Sequence, residues 1–217
     1  MRGGQAARSL EAICAKQAGL VTAAQARAVG VAGADLARLV RDGALESVER
    51  GTYLLAGCDW PIHLEIRVAW LRLDPAALPG ARDGLGADDG VVSHRSACLL
   101  FELGDIPAPA TELTVPRCRR TRVPHVRLRV CSDLPAQQVA VVEGLPVTTP
   151  ARTIVDLLRD SADGGHVGGV VADAANRGLI RLDRLAPHVE RFASRYAMPG
   201  ADGLELLEML IAMSFPT

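Results

Sequence analysis

Three residues of a short amphipathic run, Ala34, Arg38 and Arg41, have the types and spacing to meet nucleic acid. At 100° per residue they share one side of a helix, opposite Leu36, Leu39 and Val40. A small side chain lets such a helix enter a major groove, where guanidinium groups reach phosphates or guanine edges. Arg50 follows at the tip of a tight turn in "VERGTY", the place where a β-wing would touch the backbone or the minor groove. Asp35, Asp42, Glu46 and Glu49 lie close by and would repel phosphate. The competing reading is therefore a solvated face on a small helical domain.

A second set lies in "TVPRCRRTRVPHVRLRV". Between Leu113 and Ser132 the chain carries Arg117, Arg119, Arg120, Arg122, Arg127 and Arg129 and no acid. On a strand, Arg127 and Arg129 point the same way. The stretch predicts a basic hairpin surface able to track phosphates, with salt-dependent affinity, or to meet an acidic protein. It also suits a charged, edge-protecting run that binds nothing.

No catalytic constellation emerges. Ser93, His94 and Ser96 in "SHRSACLL" lack a GxSxG elbow, and neighbours on a helix do not face each other. They read as a cap and an ordinary histidine. Asp156 and Asp160 are one helical turn apart but have no third metal ligand at fitting spacing, and Arg152 with Asp156 makes a plain i, i+4 pair. The five histidines are scattered, and "DGGHVGGVV" lacks the lysine of a phosphate-binding loop. No enzyme, no cofactor and no metal site are expected.

The elements that must position these residues follow from periodicity and punctuation. Residues 8–18 predict a helix stopped by Gly19, and Thr22 caps a second, "TAAQARAV". "VAGADLARLVRDG" gives a third that stops at Gly43, and "ALESVERGTYLLAG" gives two strands turning at Gly51. Helix, helix, helix, hairpin is the order of a winged helix-turn-helix. "WPIHLEIRVAWLRLD" predicts a helix with Leu64, Val68 and Leu71 on one face. Residues 79–90, "PGARDGLGADDG", predict a flexible loop with almost nothing to bury. Ser93 would cap another helix, "TELTVPR" and "HVRLRVC" alternate as strands, and "VAVVEGLPVTT" suits a hairpin at Glu143-Gly144. Thr149-Pro150 opens a helix, and helical stretches fill the remainder. The expected fold is α+β: a winged helix-turn-helix over residues 1–58, then a mixed α/β domain over residues 59–217.

Composition narrows the partners. The 217 residues are 49% hydrophobic but only 3% aromatic, so Leu, Val and Ala must build the core. The net charge of -1 excludes a polycation and leaves nucleic-acid affinity to local patches. Lys16 is the only lysine among 24 basic residues, a bias that weakens any case for a particular arginine. Five cysteines without a CxxC suggest neither a disulfide framework nor a zinc site, and no run is long enough to span a membrane. A reducing cytoplasm is the expected location.

The stretch "GLVTAAQARAVGVAGADLARLVRDGALESVERGTYLLAG" resembles the N-terminal winged helix of AbiEi-type antitoxins, the regulators of abortive-infection (type IV) toxin–antitoxin systems. "VVSHRSACLLFELGDIPAPATELTVPR" and "VEGLPVTTPARTIVDLL" extend the resemblance over roughly residues 8–185. It implies an antitoxin and transcriptional autorepressor that binds inverted-repeat operator DNA. The implied partner is a nucleotidyltransferase-like toxin. Arg38, Arg41 and Arg50 match the family's DNA-facing elements, and Arg117, Arg119, Arg120 and Arg122 would extend the basic surface. The scaffold is also similar to the N-terminal part of proteins bearing a very-short-patch-repair-like endonuclease. A chain ending at "LIAMSFPT" would be a shortened, non-catalytic relative of those. The alternative to repression is a protein-interaction module, with the winged helix as scaffold.

Overall fold

A computed structural model describes residues 2–214 apart from 83, 87, 88, 122 and 124, with the backbone alone at 2–4. Arg122 thus lies outside the described residues. The chain divides into two compact units, Met1–Gly90 and Val91–Thr217.

In the first unit, α1 (Arg2–Lys16) is followed by β1 (Leu20–Thr22), α2 (Ala23–Ala28), α3 (Gly33–Arg41), β2 (Leu45–Glu49), β3 (Thr52–Leu55) and α4 (Leu64–Leu71). The strands form an antiparallel sheet in the order β1-β3-β2. This is a winged helix-turn-helix, with the β2–β3 hairpin as wing. Leu10, Ile13 and Cys14 of α1, Ala26 of α2, Leu36 of α3 and Leu45 of β2 meet in one apolar cluster. β1 escapes periodicity because three residues carry no period.

The start of α2 is fixed by a reciprocal cap. The Thr22 hydroxyl accepts the Gln25 amide N–H at 3.1 Å, and the Gln25 side chain accepts the Thr22 N–H at 3.0 Å. Gln25 is fully buried and also donates to the Ala77 carbonyl at 2.6 Å. The start of α2 is thereby held to the segment after α4. The helix of Leu64–Leu71, which a division at 58/59 would assign to the C-terminal half, belongs to this first unit.

Residues 79–90 do bury groups, contrary to expectation. Arg82 pairs with Asp89 at 3.1 Å, both side chains under a tenth exposed, and its guanidinium lies 3.8 Å from the Trp70 ring centre. Asp89 also accepts the amide N–H groups of Gly84 and Gly86, so it organises its own turn. A glycine- and aspartate-rich stretch can be a scaffold for one buried ion pair.

The second unit carries a five-stranded sheet ordered β6-β5-β4-β8-β7, from β4 (Val91–Val92), β5 (Thr111–Val115), β6 (Val126–Val130), β7 (Val139–Val142) and β8 (Leu145–Thr148). The helices are α5 (His94–Phe101), α6 (Pro150–Arg159), α7 (Gly164–Asn176), α8 (Leu182–Val189) and α9 (Gly203–Ser214). The expected Glu143-Gly144 hairpin joins β7 and β8, both turn residues having positive φ. Thr149 caps α6, with Pro150 in its first turn. Two expectations fail here. β5 and β6 pair in parallel, Thr111 beside Val126 through Val115 beside Val130, so the arginine stretch is a crossover and not a hairpin. β5 does not alternate either. All five residues are buried, as befits a strand flanked by two others and packed against α5.

Candidate nucleic-acid interface

The outer side of α3 holds the residues expected there. Leu36 is buried, and Leu39 and Val40 pack against the unit's core. Ala34, Arg38 and Arg41 are exposed on the other side. α3 ends at Asp42, and Gly43 takes the left-handed conformation (φ +74°) that lets the chain turn into the wing.

Its charges are partly tied. Arg38 bridges Asp35 at 3.0 Å with both side chains half or more exposed. An exposed pair of this kind is worth little, so phosphate or a base edge can replace the carboxylate. Arg41 carries no carboxylate partner among the described residues. At the wing, Arg50 and Gly51 form the two-residue turn, Gly51 at φ +79°, and Arg50 is exposed. Glu49 pairs with Arg72 just after α4. Arg72 was not among the expected residues. It offsets an acid beside the wing tip, and only the three-dimensional return of α4 brings it there.

The second basic set is rearranged. Arg117 and Arg120 are exposed, and Arg119 is half-buried. Arg127 and Arg129 do share a face, but they turn onto one buried carboxylate, Glu112, at 3.4 and 3.1 Å. Glu112 is 1% exposed and also accepts the Arg95 amide N–H at 3.1 Å, so it caps α5 from the neighbouring strand. Arg129 pairs additionally with Asp160. Glu112 stands one residue before the acid-free window, and the sheet pairing places it opposite Arg127. Two arginines of the run are thus structural.

Ser93 occupies the N-cap position of α5 without making a capping bond. Its hydroxyl accepts from Thr114 at 2.9 Å and lies 2.9 Å from His94 Nδ1. The ring of His94 is buried, and burial lowers its pKa against the raising pull of Asp156, Glu112 and Asp160. A fully buried serine committed to two partners is not presented as a nucleophile. Burial also pushes the Cys14 thiol up to about 11 and that of Cys98 to about 12, far from thiolate reactivity. Among the described residues no three His, Cys, Asp or Glu side chains are placed to hold a metal. No helix among them is long and apolar enough to cross a membrane.

The first unit therefore has the architecture of helix-turn-helix regulators, joined in one chain to an α/β unit. Residues 9–56 match the family described as transcriptional regulator, AbiEi antitoxin, and residues 92–195 match the AbiEi antitoxin C-terminal domain. The chain belongs to the AbiEi antitoxin family. A crystal structure of the RV2827C protein from Mycobacterium tuberculosis shares the fold at a TM-score of 0.55 and 15% identity. That match covers 99% of this chain and 83% of the other. No curated protein matches.

Proposed function

We propose that this antitoxin represses its own operon by inserting α3 into the major groove of an inverted-repeat operator, with Arg50 of the wing on the flanking backbone. The observation that carries the reading is the split of α3: Leu36 inside, and Ala34, Arg38 and Arg41 outside. Phosphate contacts supply affinity, and base-edge contacts supply sequence choice. Arg117, Arg119 and Arg120 form a secondary basic surface, reduced by the commitment of Arg127 and Arg129 to Glu112. The second unit counters a nucleotidyltransferase-like toxin in the cytoplasm. The chain acts by binding and not by catalysis, which the buried, doubly bonded Ser93 and the raised thiol pKa values support.

A reporter driven by the DNA upstream of the chain's own gene tests this. Wild-type protein lowers expression. The double variant Arg38→Ala, Arg41→Ala restores it, while still relieving toxicity of a co-expressed nucleotidyltransferase-like toxin. Unchanged repression by a folded double variant overturns the assignment of α3.

A further inference from the structure

The second unit contains a cavity of about 270 Å³ that the DNA-binding proposal does not use. It lies where the start of α6 meets α8 and the 3-10 turn Ala136–Gln138. Its charge is one-sided. Arg152, Arg159 and Arg191 line it together with His188, and among the described residues no carboxylate does. The nearest acid on α6, Asp156, is fully buried behind the wall and is taken by Arg152 at 2.9 Å and Arg159 at 2.7 Å. One negative charge thus stands against three guanidinium groups. Arg191 is exposed, with its guanidinium 4.9 Å from the centre of the Phe192 ring. Gln138 fixes Arg152 by accepting from its Nη1 at 2.6 Å, so one guanidinium is held in place before any ligand arrives.

We infer that this cavity binds a phosphate monoester of mononucleotide size. Three guanidinium groups suit the tetrahedral dianion, to which they donate charge-assisted, often paired hydrogen bonds. Val155 and Leu185 give the cavity an apolar wall on which a flat ring can lie. The volume falls just below that of ordinary ligand sites; it excludes a dinucleotide and leaves a bare phosphate loosely held. The inference is independent of the operator proposal, since it involves no residue of the first unit.

The test is calorimetric titration of the full chain with adenosine 5′-monophosphate, inorganic phosphate and adenosine. Arg191→Glu is the probe variant. It is exposed, and its substitution leaves no buried charge unpaired. Arg184→Glu, an equally exposed position on α8 outside the cavity, controls for net charge. Adenosine 5′-monophosphate saturates, adenosine does not, and Arg191→Glu weakens binding about tenfold or more while Arg184→Glu changes it less than about twofold. Absence of saturable binding by either phosphate compound, or an equal loss in both variants, overturns the site. Inorganic phosphate binding as tightly as the nucleotide overturns the mononucleotide assignment.

Discussion

Gly168→Ala is expected to destabilise the C-terminal unit by about 3 kcal/mol or more, at the upper end of what overpacking costs. Gly168 lies in the middle of α7, where α7 packs against α9. A Cβ there would sit 1.8 Å from the Leu210 carbonyl oxygen and 2.5 Å from its carbon. Both clashing atoms belong to backbone, so no rotamer change relieves them and the two helices must part. Parting them would expose Val167, Val171, Leu206, Leu207 and Leu210, all buried in the same cluster. The neighbour supplies the control. A Cβ at Gly169 meets nothing closer than 3.8 Å. Gly169→Ala should therefore be neutral or stabilising by up to about 1 kcal/mol from helix propensity alone. Urea unfolding followed by circular dichroism distinguishes the pair. Equal stability of the two variants would mean that α7 and α9 do not touch through Gly168.

The second large effect is expected from Asp156→Ala, about 3 to 5 kcal/mol. Both carboxylate oxygens are in use, Oδ2 on Arg152 and Oδ1 on Arg159, and the side chain is 1% exposed. Burial alone would lower the Arg152 pKa, but the hydrogen bonds it donates to Cys131 and Asp156 outweigh burial and hold the group above its ordinary value. Without Asp156, Arg152 keeps Gln138 and the weak contact to Cys131 Sγ at 3.5 Å, with its charge still in the interior. Arg159 is half exposed and can turn to water, so the loss falls on Arg152. Asp156→Leu combined with Arg152→Met should recover most of the stability, because an apolar pair of similar volume leaves no buried charge. A double variant no more stable than Asp156→Ala would show that the site's packing, and not its charge, set the cost.

What could be read in the chain beforehand was local. Thr22, Gly43, Gly51 and Thr149-Pro150 each mark an element end by a mechanism confined to a few residues, and each marks it in the structure. The facing of α3 followed from the helical period alone. What could not be read was pairing over distance. "TVPRCRRTRVPHVRLRV" has two strand-like ends, and nothing in it distinguishes a hairpin from a parallel crossover. The carboxylate that tames its arginines, Glu112, sits on the adjacent strand in alternation with apolar residues, where an acid reads as solvent-facing. In α7 the glycines at 164 and 168 lie against Leu210 of α9, a close helix approach that helical periodicity cannot reveal. In each case the missing information was the identity of a neighbour far along the chain.

Whether α3 presents its arginines to DNA is measured by fluorescence-anisotropy titration of the full chain against the duplex from upstream of its own gene and against a shuffled duplex. The wild type should prefer its own duplex and lose affinity steeply as salt rises. Arg38→Ala should cost about 1 to 3 kcal/mol on the specific duplex if it reads a base, and should narrow the preference. A wild-type chain that binds neither duplex, or a folded Arg38→Ala, Arg41→Ala variant that binds as the wild type does, would mean that α3 does not carry the DNA contacts.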